Sequence, residues 1–178
     1  MKIKFNKKFL KNFLLGLSLC LSCLSLCWML QPYNRAMLLW QKGHKEKAIA
    51  IWNDQIKRKQ DLDSYQKLIE VLINSGDYEK AEELAKNALP LYPSCTNLMF
   101  YLAMTNFYKG NLTDSLKYTE DVLSINEYFP EVYLLRGLIF EKMNNLEQAK
   151  KEFIKEINNN PSNRLAWAKL KEQKYANI

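Results

Sequence analysis

The sequence predicts an all-α protein: a solenoid of about four helical hairpins closed by a C-terminal capping helix and preceded by one membrane-spanning helix. Three observations carry this expectation. Residues recur at a step of 34, so that Tyr65, Met99, Tyr133 and Trp167 share one register, Leu68, Leu102 and Leu170 a second, and Gly76 and Gly110 a third. Self-similarity at a fixed period of this size marks a stack of supersecondary units. Within each step the apolar residues fall into two runs with three- and four-residue spacing, the pattern of two amphipathic helices. Finally, Phe13 to Leu30 is a run of 18 residues without a charge, about 27 Å long as a helix and close to the hydrocarbon thickness of a bilayer.

Taken from its start, the chain opens with a lysine-rich tail, residues 1–12, followed by the apolar segment, residues 13–31. Five lysines precede that segment and Arg35 alone closely follows it. The positive-inside bias therefore expects a retained single-pass anchor with the N-terminus in the cytoplasm and the rest of the chain outside it. The alternative is cleavage, leaving a periplasmic or secreted protein. The small-residue pairs Cys20/Ser22, Cys23/Ser25 and Ser25/Cys27 fit a signal cleavage site poorly. A lipoprotein site at Leu21-Ser22-Cys23 would leave Leu24 to Leu30 as an apolar start to the mature chain. Gly16, Cys20, Cys23 and Cys27 fall within about 60° on a helix. Such a small-residue stripe permits close contact with a second transmembrane helix, although a single-pass anchor also tolerates it.

Residues 32–178 form the expected repeat domain. In the first full unit, Tyr65, Leu68, Ile69 and Leu72 make one helical face; Gly76 and Asp77 make the turn, and Tyr78, Ala81, Leu84, Ala85, Ala88 and Leu89 make the second face. Small residues at Ala81, Ser115, Ala149 and Gly137 let paired helices approach closely. Repeats are expected at about 33–60, 62–95, 96–129 and 130–163, the first of them degenerate. Residues 164–178 form the cap, where Lys169, Lys171, Glu172 and Lys174 are expected to make the outer side polar, as a terminal unit requires.

These registers resemble the tetratricopeptide repeat (TPR) family, and the likeness runs from Tyr65 through Trp167. The middle unit departs most, with Asn106, Thr119 and Glu127 where the family has two aromatics and a proline. The resemblance implies a right-handed TPR superhelix whose first helices line a concave groove for a protein or peptide partner. Carried over by register, the groove positions are Asp63, Gln66, Glu70, Ile73 and Asn74, then Asn97, Phe100, Met104, Phe107 and Tyr108, then Glu131, Leu134, Leu138, Glu141 and Lys142. Gln66, Glu70, Ile73, Phe100, Met104, Phe107, Tyr108, Leu134 and Leu138 are the groove candidates, and Asp63, Glu70, Glu131 and Glu141 would form an acidic rim. Some of these residues could instead complete the core. Gln66 and Glu70 stand where chaperone-binding members begin the clamp for a terminal carboxylate, which argues against that ligand.

Charge and composition narrow the function. The net charge of +7 is concentrated at the start: residues 1–35 hold six of the 26 basic side chains and none of the 19 acidic ones, so the remainder is balanced to within one charge. A nucleic-acid reader needs a basic face across its binding module, and none is expected. No Gly-x-Ser-x-Gly elbow, phosphate-binding glycine loop or His–Cys ligand cluster occurs, and the lone His44 falls in a turn. No catalytic residue, metal or cofactor is therefore expected. The resemblance implies a non-catalytic, membrane-tethered scaffold for assembly of a membrane-associated complex. A cleaved peptide-binding protein is one alternative. An organelle-encoded assembly factor for photosystems is another.

Overall fold

The computed structural model describes residues 31–175 and, before them, Leu17. The expected span, residues 13–31, and its stripe of Gly16, Cys20, Cys23 and Cys27 lie outside the described residues but for Leu17 and Gln31. Among the described residues no helix is long and apolar enough to cross a membrane. These residues form nine helices and no strand, and the chain divides into two compact units, residues 1–64 and 65–178.

In the first unit α1 (Pro32–Gln41) and α2 (Lys45–Lys59) pack together. Pro32 starts α1 because its missing N–H costs nothing in a first turn. Ala36, Ala48 and Trp52 are fully buried, and the Trp40 and Trp52 rings lie 5.6 Å apart. The turn between the helices holds His44, which is exposed. Lys57, Arg58 and Lys59 occupy the last turn of α2, where cations suit the negative end of the helix dipole. The next helix, α3 (Leu62–Ser75), begins in this unit. Asp61 starts it by accepting from Ser64 N at 2.9 Å, the role of a capping carboxylate.

The second unit takes α3 from Tyr65 onward, then α4 (Tyr78–Ala88), α5 (Thr96–Lys109), α6 (Leu112–Ile125), α7 (Val132–Lys142), α8 (Leu146–Asn159) and α9 (Arg164–Tyr175). From α4 on, each helix packs against the next, and α5 also meets α7. The small residues lie where the helices approach: Ala81, Ala85, Ala88, Ser115 and Ala149 are fully buried. Ser115 Oγ donates to Ala103 O at 2.7 Å. The turns keep the repeat register too, with left-handed φ of 81° at Gly76, 86° at Gly110 and 59° at Asn144. Asparagine tolerates that region better than most L residues, so it serves in the last of the three.

The divergent middle unit repacks with polar groups. Asn106, 2% exposed, donates to Leu102 O at 2.8 Å and accepts from Asn111 Nδ2 at 3.2 Å. Thr119, fully buried, donates to Leu116 O and accepts from Arg136 Nη1 at 3.0 Å, while Arg136 Nε reaches the buried Glu152 carboxylate at 3.2 Å. The buried polar side chains Asn106 and Thr119 of this unit thus find partners, as burial demands.

Of the residues expected on the outer side of α9, Lys171 and Glu172 are exposed and Lys169 is not. Lys169 is turned toward α7, where Nζ pairs with Glu141 at 3.1 Å, while Leu165 and Trp167 stand about half exposed. The long lysine stem crosses to an acceptor on α7 while also pairing with Glu172 at 3.1 Å, so its charge is held against the stack. Trp167 Nε1 instead donates back to Pro161 O at 3.0 Å.

Candidate functional site

Helical spacing gathers the site. On α5, Phe100, Met104, Phe107 and Tyr108 are separated by four, three and one residues and share a face. On α7, Leu134, Leu135 and Leu138 share another, with Glu131 at the N-cap position. Where these helices meet, and where α9 begins with Asn163 and Leu165 beside them, these ten residues line a pocket of about 270 Å³. Its floor is core: Phe107, Leu134 and Leu135 are 8%, 8% and 6% exposed, whereas Phe100, Met104 and Leu138 are half-buried and Tyr108 is exposed.

Aromatic contacts stiffen the wall. Phe100 lies 5.0 Å from Phe129, Phe107 meets Tyr108 edge to face at 5.4 Å, and Tyr108 stacks on Tyr78 at 4.8 Å. Lys142 Nζ sits 4.2 Å above the Phe107 ring, a cation–π geometry. Beside the wall, Glu82 bridges Lys86 and Lys109. Hydrogen bonds from Lys109 first and then Lys86 hold the Glu82 carboxyl below the usual carboxylate range.

The α9 side of the pocket is fixed from beneath. Glu156, 1% exposed, accepts from Leu134 N at 3.3 Å and from Asn163 Nδ2 at 2.8 Å. Asn163 Oδ1 in turn accepts from Leu165 N and Ala166 N at 3.1 and 3.2 Å, capping α9. Burial works against the Lys169 ammonium, but its hydrogen bonds to Glu141 and Glu172 outweigh that effect and raise its pKa.

Six of the nine groove candidates therefore come together: Phe100, Met104, Phe107, Tyr108, Leu134 and Leu138. The other three do not join this pocket. Gln66 donates to Cys95 Sγ and accepts from Asn97 Nδ2, both at 3.3 Å; Glu70 pairs with Lys67 at 3.0 Å; Ile73 is core at 6% exposure. The acidic rim is likewise reduced, because Glu70 and Glu141 each hold a lysine and only Glu131 borders the pocket. Leu135, Asn163 and Leu165 escaped the sequence reading. Leu165 was within reach of it, being one 34-residue step beyond Glu131.

In the first unit, Pro32, Arg35, Ala50, Ile51, Asp54, Gln55 and Arg58 line a larger depression of about 400 Å³. Arg58 is already paired with Asp54 there at 2.7 Å. Among the described residues no group of three His, Cys, Asp or Glu is placed to hold a metal ion.

Stacked hairpins with an apolar groove between first helices define a helical-repeat protein. Residues 130–163, which hold α7 and α8, match the tetratricopeptide repeat family, and solved structures of that class share the fold. The crystal structure of MamA superposes with a TM-score of 0.70 at 17% identity, covering 80% of this chain and 84% of that one. A thermophilic TPR protein in Thermus thermophilus gives 0.68 at 17% identity, covering 82% and 80%. The first TPR of Spaghetti (RPAP3), bound to the HSP90 peptide SRMEEVD, gives 0.59 at 19% identity, covering 63% and 89%. No curated protein matches the sequence. These comparisons support the tetratricopeptide repeat family. Its fold suggests a scaffold for protein–protein interaction, and proteins of this kind are generally non-catalytic.

Proposed function

We propose that this chain is a membrane-tethered scaffold whose α5–α7–α9 groove receives a peptide segment of a protein partner, in assembly of a membrane-associated complex. The observation that carries the reading is the pocket itself. It is a concave surface, apolar along its length and edged by a few polar groups, the usual composition of a binding site. That the similar RPAP3 domain holds a peptide lends the reading support. Tethering rests on the uncharged run from Phe13 to Leu30, and the lysines before it favour a repeat domain outside the cytoplasm.

The groove is tested by placing a photo-crosslinking amino acid in the full chain at Tyr108, on the groove, or at Lys150, exposed on α8. Irradiating native membranes should give a discrete adduct from position 108 and none from 150. Equal adducts, or adducts from 150 alone, would overturn the groove. Orientation is tested separately by fusing after Ile178 a reporter enzyme active only outside the cytoplasm. A silent reporter would reverse the topology, and a mature N-terminus near Cys23 would establish cleavage instead of anchoring.

A further inference from the structure

The two ends of α7 carry charges that suit the helix dipole but have no ion-pair partner among the described residues. Glu131 borders the pocket at the N-terminal end of α7, and Lys142, the last residue of that helix, holds its ammonium over Phe107 at the other end. Among the described residues neither has an ion-pair partner, whereas Glu82, Glu141 and Glu152 all hold cations. Eleven helical steps separate the two charges, about 16 Å along the axis. Between them the lining is apolar: Leu134 and Leu138 on α7, with Phe100, Met104 and Phe107 opposite on α5. Glu131 has a backbone of φ 63° and ψ 0°, the left-handed region that a residue with a Cβ enters only at a cost.

We infer that the groove takes a short apolar segment with opposite charges at its two ends, a cationic side chain meeting Glu131 and a carboxylate meeting Lys142. The inference rests on the groove reading above and specifies its ligand. About six extended steps at roughly 3.3 Å each more than cover the distance and keep the two end side chains and two large apolar ones between them on one face. The apolar side chains supply affinity, and the end charges select among apolar segments, since rim charges govern specificity more than strength. A terminal carboxylate is not needed, because an internal Asp or Glu side chain serves.

Three labelled seven-residue peptides with blocked ends test this on the full chain by fluorescence anisotropy. All share the core Ser-Leu-Ser-Phe-Ser, flanked by Lys and Glu, by two Lys, or by two Glu. The mixed peptide should bind tightest, by roughly twofold to fivefold, the range of an exposed ion pair, and its advantage should shrink with added salt. Lys142→Glu should move the preference to the doubly basic peptide, Glu131→Lys to the doubly acidic one, and the two changes together to a mixed peptide with its Lys and Glu ends exchanged. Both side chains are exposed, so folding should survive each exchange, which a thermal melt verifies. If all three peptides bind alike and all weaken with Leu138→Ala, the groove stands and the charge inference falls. If none binds, or Leu138→Ala changes nothing, the groove reading itself falls and takes the inference with it.

Discussion

Gly137 of α7 lies directly beneath the Phe153 ring of α8, so close that a Cβ added at Gly137 would collide with three ring carbons. The fully buried ring cannot move aside without disturbing Ala149, Ile157 and Ala166, which share its cluster. Gly137→Ala should therefore destabilise the chain by about 1–3 kcal/mol from overpacking, despite the roughly 1 kcal/mol that alanine gains over glycine in a helix. Urea denaturation followed by circular dichroism checks it. A more stable variant would mean that the helices can separate freely.

Phe107 is both the groove floor and part of the core cluster with Ala103, Leu135 and Ile139. The pattern alone places it on the groove face and would have Phe107→Ala spare the fold, but at 8% exposure truncation should cost about 3–5 kcal/mol. Phe100→Ala, at a half-buried position, should cost distinctly less. Thermal melts of the two variants should rank them in that order, which makes Phe100, with Leu138, the cleaner probe of binding.

Glu82 ties α4 to α5 through Lys109, and its folded pKa lies below the ordinary value near 4.5. A lowered carboxylate pKa means that the unfolded chain binds the proton more readily. The stabilisation is complete above the ordinary carboxylate pKa and is lost as the pH falls through the folded one. Glu82→Gln should accordingly be less stable than the parent at pH 7, and the difference should close below about pH 4. A constant gap down to pH 2 would contradict the pairing.

Glu131→Gly should stabilise the fold by about 0.5–1 kcal/mol, because glycine occupies the left-handed region without the Cβ penalty. The same change should weaken binding of any segment that presents a cation to that end of the groove. Denaturation and peptide binding measured on one preparation would expose the opposed effects.

How much of this was legible depended on whether a position had one duty or two. Ala81, Ser115 and Ala149 have one, close helix approach, and their register alone placed them correctly. Gly76 and Gly110 marked two turns for the same reason, while the turn at Asn144 was hidden because another residue type fills its left-handed position. Phe107, Leu134 and Ile73 lie where a groove face grades into a core face. Spacing cannot divide the two, because helix rotation sets exposure by degrees. Gln66 and Glu70 have the right register, but their side chains are engaged by Cys95 and Asn97 and by Lys67. Long-range pairings such as Lys169 with Glu141 were invisible for another reason: flexible side chains choose partners that periodicity does not encode.

The Glu156 carboxylate joins three helices at one buried point, serving the Leu134 amide of α7 and, through Asn163, the first turn of α9. A terminal helix ordinarily frays turn by turn, with amide protons that exchange at little energetic cost. Here the first turn of α9 cannot open without stripping a buried carboxylate of one of its two donors. Hydrogen exchange at the start of α9 should therefore follow opening of the α7–α8 hairpin, with the last wall of the groove unfolding together with the repeat before it instead of ahead of it.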